Sequence, residues 1–151
     1  MSLRVALERT ARRMGNGHQF AAHAPFYPLC FWFEDLASGK AKGVLSPAEL
    51  RRYTGALVRI YAGGRDDYDD RDPEACQKFV SLEDEPARSA FTIQLYPIAT
   101  HGWDQDFDAQ FYADLACEGR GCRNINSRNA EITSQSIADL VAFMQRSLLP
   151  K

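Results

Sequence analysis

The chain has 151 residues, of which 45% are hydrophobic and 25% are charged, and its formal net charge is −2. This balance is typical of a soluble globular protein, and the length suits one domain over residues 1–151. No unbroken apolar run is longer than LCFWF at 29–33, whereas a bilayer span needs roughly 20 residues. The composition therefore excludes a membrane-spanning chain.

Charge is distributed in three blocks along the chain. Residues 1–62 hold nine Lys and Arg against four Asp and Glu, residues 63–118 hold four against fourteen, and residues 119–151 hold five against two. The order is basic, acidic, basic. Such blocks can neutralise one another in the fold or form separate faces for partners.

The first predicted element is a helix, because apolar residues recur at helical spacing from Leu3 to Met14 and GNG at 15–17 ends the pattern. LCFWF predicts a short strand that is buried on both faces. In VLSPAELRRY, Ser46 and Glu49 predict a capping box, with Pro47 at the first helical position. The apolar pattern extends this second helix to Gly63.

The stretch GGRDDYDDRDPEAC holds five aspartates within residues 66–72. Asp72 predicts a helix cap because Pro and Glu follow it. Asp66, Asp67 and Asp69 have no such role, and the segment does not match the calcium-loop pattern. We expect a solvated acidic surface here, with a docking face for a basic partner and an irregular cation site as the alternatives.

The second half of the chain predicts strands followed by a helix. Apolar and polar residues alternate over 91–96 and over 107–115, and a hairpin loop at 118–121 leads to a return strand at 122–125. Residues 137–148 predict the last helix, with Pro150 beyond its end. The order predicts an α+β fold: a small, mostly antiparallel sheet of three or four strands, packed by N-terminal, middle and C-terminal helices.

The best candidate ligand site is YPIATHGWDQDFD at 96–108, which leaves a predicted strand through a proline. His101 is an acid–base group or ligand, and the carboxylates of Asp104 and Asp106 can orient it or bind a metal. Trp103 can line a pocket or anchor an interface.

The cysteines allow several interpretations. Cys117 and Cys122 together with His18 and His23 have the spacings of a zinc site, although a cross-hairpin disulfide or free thiols are the favoured alternatives. Because no export signal is seen, we expect reduced thiols and a cytoplasmic protein. No cofactor is expected.

No nucleophile elbow, metalloprotease motif or phosphate loop is present in the sequence, which favours a binding protein over an enzyme. The first hypothesis is a small interaction or regulatory protein, of an immunity-like kind, that presents an acidic surface to a basic protein partner. Its contact residues would be Asp66, Asp67, Tyr68, Asp69 and Trp103. The alternative is a metal-assisted enzyme or a small-ligand-binding domain centred on His101 and Asp104.

Other partners receive less support from the sequence. A basic face on the first helix could contact phosphates, but the pI of about 5.9 and the lack of interleaved aromatic residues argue against nucleic acid. No membrane partner is expected. Self-association is left open.

Overall fold

The computed structural model of the chain describes residues 2–16 and 18–148, so that Gly17 and Pro150 of the predicted helix ends lie outside the described residues. The described part has an α+β fold with two small sheets. Its helices are α1 (Ser2–Val5), α2 (Glu8–Met14), α3 (Cys30–Ser38), α4 (Pro47–Leu50), α5 (Ala75–Ser81) and α6 (Ala130–Leu148). Its strands are β1 (Ala22–His23), β2 (Leu57–Gly63), β3 (Phe91–Tyr96), β4 (Ala109–Ala113) and β5 (Cys122–Asn126).

The larger sheet has the order β1-β2-β3 and is parallel throughout. In its register Val58 lies opposite Phe91 and Tyr61 lies opposite Gln94. Strands β4 and β5 form a separate antiparallel hairpin. The prediction of a mostly antiparallel sheet is therefore wrong, because the long connection through α5 returns the chain parallel to β2, as parallel pairing requires.

The larger sheet separates two apolar clusters, since successive side chains of β2 point to opposite faces. Ile60 packs with the N-terminal segment, α3 and α5, in a cluster that includes Leu7, Phe79 and Phe91. Tyr61 packs on the other face with Tyr96, Trp103 and Ile132. The second cluster places Trp103 between the sheet and α6.

Two predicted elements have the wrong type. LCFWF lies at the start of helix α3 and not in a strand, and that helix ends at Gly39 with the left-handed φ of 80° that glycine favours. The capping box of Ser46 and Glu49 is confirmed, but α4 ends at Leu50 instead of running to Gly63. Residues 57–63 form the central strand β2, because tertiary pairing on both edges outweighs their helical spacing.

The predicted first helix is interrupted in its middle. Leu7 is extended and forms an antiparallel bridge with Tyr53, and the Glu8 backbone N–H donates to the Arg52 carbonyl at 2.8 Å. The predictions of β3, of the β4–β5 hairpin and of a C-terminal helix are confirmed. None of the described helices has both the length and the apolar character needed to cross a membrane.

Candidate functional site

The three central aspartates are buried: Asp66, Asp67 and Asp69 are only 2%, 4% and 6% exposed. The prediction of a solvated acidic surface at these residues is wrong. Asp66 accepts from the Tyr68 N–H at 2.9 Å, Asp67 from the Ile125 N–H at 2.8 Å, and Asp69 from the Phe31 N–H at 2.9 Å. The carboxylates thus satisfy backbone donors inside the protein.

Asp69 caps α3, because its carboxylate also accepts from the Cys30 N–H at 3.3 Å. Burial outweighs these bonds and raises the pKa of Asp69 to about 7. Beside it, Cys30 and Cys76 form a disulfide with a Cα–Cα distance of 4.8 Å, which joins α3 to α5. The expectation of reduced thiols is therefore wrong.

Metal-ligating side chains converge at one place in the described residues, where Cys30, Asp69 and Cys76 have ligand atoms within 4.8 Å of one another. The two sulfurs are bonded to each other, so they are not thiolate ligands in this structure. The group therefore represents a helix cap beside a disulfide and not a metal centre.

The zinc alternative for Cys117, Cys122, His18 and His23 is contradicted, because its two cysteines are bonded to each other. Cys117 and Cys122 form a disulfide that closes the β4–β5 hairpin, with a Cα–Cα distance of 5.9 Å, which confirms the cross-hairpin alternative. His23 is buried in β1, where burial lowers its pKa and Nε2 has no hydrogen-bond partner among the described residues. His18 is exposed in the preceding segment.

His101 is held by one of the buried aspartates. Its Nδ1 lies 2.9 Å from Asp66 Oδ2. Because a carboxylate only accepts, Nδ1 carries the proton of the neutral ring and Nε2 is left as an acceptor. Nε2 has no hydrogen-bond partner in the described part of the chain and is not among its buried unpaired atoms, so it is open to solvent.

Two tyrosines flank this imidazole. The ring centroids of Tyr27 and Tyr68 lie 4.5 Å and 4.4 Å from that of His101. Trp103 lies behind Tyr27, with 5.2 Å between their centroids, and its Nε1 donates to Ser136 Oγ at 3.4 Å. Trp103 is fully buried, so it supports the site from the core and offers no contact surface to a protein partner.

The imidazole opens into a cleft of about 830 Å³. The partly exposed apolar side chains Trp32, Leu115 and Ile137 form much of its wall. Tyr27, Tyr68, His101 and Asp104 form its polar end. No Lys or Arg is among the lining side chains that the structure describes.

Asp104 and Asp106 are in different surroundings. Asp104 lines the cleft and accepts from Tyr27 Oη at 3.0 Å, and burial, followed by this carboxylate, raises the pKa of Tyr27. Asp106 pairs with Arg128 at 2.9 Å and its side chain is 90% exposed outside the cleft. The structure thus brings together His101 and Asp104 from the predicted set and leaves Asp106 out.

Sequence reasoning missed Tyr27 and the role of Asp66. Tyr27 lies in PFYP, which predicts irregular structure, and its φ of 36° is left-handed. A tyrosine in a proline-bounded segment without regular structure is typical of a binding loop, and this pattern could have identified Tyr27. Asp66 had no such signal, because its pairing with His101 joins residues 35 positions apart.

Comparisons with protein-family models, with curated proteins and with solved structures find no match to this chain. The interpretation of the site therefore depends on its own geometry.

Proposed function

We propose that the chain is a small-ligand-binding domain and that its site is the cleft around His101. The observation that carries this proposal is an imidazole fixed through Nδ1 by a buried carboxylate, with Nε2 open at the polar end of an aromatic cleft. Ligand sites in proteins are concave and mostly apolar, with a few fixed polar groups that orient the ligand. Asp66, Tyr27 and Tyr68 provide that fixation here.

The site can accept a proton or a hydrogen bond at one defined atom. Asp66 fixes the orientation and the tautomer of the ring through Nδ1, which leaves Nε2 as the acceptor. Binding is the primary proposal, because the cleft walls bear no cysteine or lysine nucleophile in the described residues. The metal-assisted version of this function has no ligand cluster at His101 in the part of the chain that the structure describes.

The basic protein partner stays a prediction, but its expected contact surface is no longer available. Asp66, Asp67 and Asp69 are occupied by internal hydrogen bonds, while Tyr68 lines the cleft. The cytoplasmic location also stays a prediction. We propose an oxidising compartment instead, since two disulfides are typical of one.

The proposal can be tested by titrating the isotope-labelled protein with three aryl-alkyl probes of similar length: 4-phenylbutylamine, 4-phenylbutan-1-ol and 4-phenylbutanoate. At least one probe should give saturable shifts at the His101 and Tyr68 resonances and at the Trp32 indole. His101→Ala should lower the affinity for that probe by about fivefold or more, because it removes the exposed acceptor.

His18→Ala is the matched control, because His18 is exposed and does not line the cleft. This substitution should leave the affinity unchanged. The proposal is overturned if no probe shifts the cleft resonances, or if the shifts cluster instead at the adjoining apolar cleft beside Met14 and Phe20.

A further inference from the structure

We infer that the cleft recognises an organic cation, an amine or guanidinium group carried on an apolar body. This inference rests on the proposed function, and it adds the chemical class of the ligand. It follows from the hydrogen-bonding character and charge of the polar end of the cleft and from the apolar wall beside it.

The polar end presents acceptors. His101 Nε2 is an acceptor because Asp66 holds the ring proton on Nδ1. The Asp104 carboxylate accepts a hydrogen bond from Tyr27 Oη, and its side chain is exposed. A ligand that satisfies both acceptors must bring N–H or O–H donors of its own.

Charge favours a cation over an anion at the same place. Asp104 is the carboxylate that lines the cleft, and the described lining has no Lys or Arg to balance it. The buried Asp66 lies directly behind His101 at 2.9 Å. A ligand carboxylate would face both of these negative groups and would find no cationic partner.

The rings of the site suit a cation as well. Tyr27 and Tyr68 flank the imidazole, so a cation that reaches His101 lies close to two phenol rings. The faces of aromatic rings attract ammonium and guanidinium groups, and more strongly where water is excluded. The partly exposed Trp32, Leu115 and Ile137 offer an apolar wall to the rest of the ligand.

The cation is organic and not a metal ion. His101 and Asp104 do not belong to any group of three or more metal-ligating side chains in the described residues. Divalent cations need four or more ligand atoms at short distance, whereas an ammonium group needs only acceptors and ring faces. The extent of the cleft, about 830 Å³, also exceeds what a single ion needs.

The experiment compares affinities of the same three probes by titration calorimetry. The amine should bind about tenfold more tightly than the alcohol, because it adds a charge-assisted hydrogen bond and a cation–π contact, and the carboxylate should bind most weakly. Asp104→Asn should lower the affinity for the amine about threefold to tenfold and leave the affinity for the alcohol unchanged.

Asp106→Asn is the matched control, since it removes a carboxylate from the same loop that does not line the cleft. It should change the affinity for the amine by less than about twofold, because exposed charges outside a site contribute little. Equal loss in both variants would show only a general effect of net charge and would overturn the inference.

The ordering of the probes separates the two proposals. If amine and alcohol bind equally at the cleft, the cation inference fails and the ligand-binding function stands. If none of the probes binds there, the function itself fails. The amide of N-acetyl-phenylalanyl-lysine presents the same ammonium group from a peptide. Tighter binding than the free amine supports a protein side chain as the cation source, and weaker binding supports a free small molecule.

Discussion

Two aspartate-rich segments of the chain differ in how many of their carboxylates they bury. In residues 66–72 the carboxylates of Asp66, Asp67 and Asp69 are almost fully buried. In residues 104–108 the side chains of Asp104, Asp106 and Asp108 are all exposed. The local density of acidic residues therefore does not decide whether a carboxylate faces water.

The difference lies in what the rest of the fold offers to each segment. The first segment follows β2 and runs between α3 and the β4–β5 hairpin, whose backbone N–H groups donate to it. Two of the hairpin N–H groups donate to backbone carbonyls of the segment. The Cys117 N–H donates to the Asp67 carbonyl at 2.7 Å and the Glu118 N–H to the Tyr68 carbonyl at 3.0 Å. In the second segment Asp108 is the one aspartate that accepts a backbone N–H from the part of the chain that the structure describes, that of Arg128, at an exposed position. Burial thus follows the supply of donors.

The largest expected effect tests what holds the buried segment in place. Cys30→Ala with Cys76→Ala opens a loop with a sequence separation of 46 residues, whereas Cys117→Ala with Cys122→Ala opens one with a separation of five. Loop entropy predicts losses of about 4 and about 2 kcal/mol in the free energy of unfolding. Chemical denaturation followed by circular dichroism measures both, and an equal loss would contradict the entropic ranking.

A smaller effect compares single carboxylates from the two segments. Asp67→Ala removes a buried carboxylate, takes the acceptor away from the half-buried Ile125 N–H and breaks the 2.7 Å ion pair with Arg71, so we expect a loss of about 3 kcal/mol. Asp106→Ala removes an exposed pair with Arg128 and should cost less than about 0.5 kcal/mol. Denaturant midpoints of the two variants, measured side by side, decide the matter. Similar losses would mean that burial does not distinguish the segments.

The smallest effect concerns pH and Asp69. Because burial raises its pKa to about 7, the folded chain keeps a proton that the unfolded chain has released above about pH 4. The free energy of unfolding therefore falls as pH rises from about 4 to about 7. Between about pH 5 and pH 8, the free energy of unfolding of Asp69→Asn should therefore fall by about 2 kcal/mol less than that of the wild-type protein.

Asp108→Asn is the matched control for that measurement, since it neutralises an exposed carboxylate that also accepts a backbone N–H. The part of the fall that comes from Asp69 should remain in this variant, because its Asp69 is unchanged. Glu83, whose pKa burial also raises to about 7, adds a fall of the same sign, so the informative quantity is the difference between profiles. Parallel profiles for Asp69→Asn and the wild-type protein would contradict the prediction.

Sequence patterns succeeded where local chemistry decides the structure. The capping box of Ser46 and Glu49, the alternation in β3 and the long C-terminal helix all depend on neighbours within a few residues. They failed where distant partners decide. The helical spacing of residues 50–60 gives way to pairing with β1 and β3, and LCFWF starts a helix that Asp69 caps from 38 positions away.

The site shows the same division. His101 and Asp104 were identified because they lie five and eight residues beyond the end of a strand that the alternation predicts. The partner of each buried aspartate could not be predicted. Asp66 contacts His101 and Asp67 accepts from the Ile125 N–H only in the folded chain, and both partners are distant in sequence. Asp70 and Arg71 also adopt left-handed φ values of 53° and 57°, which direct the segment back into the protein and have no sequence signature.

The bonds from Ile125 and Cys117 to Asp67 have a consequence for how the molecule opens. They attach the small antiparallel hairpin to the end of the parallel sheet at two points, one on a side chain and one on the main chain. Amide protons of the hairpin should therefore exchange with solvent at rates close to those of the parallel strands, because neither sheet can separate without exposing a buried carboxylate.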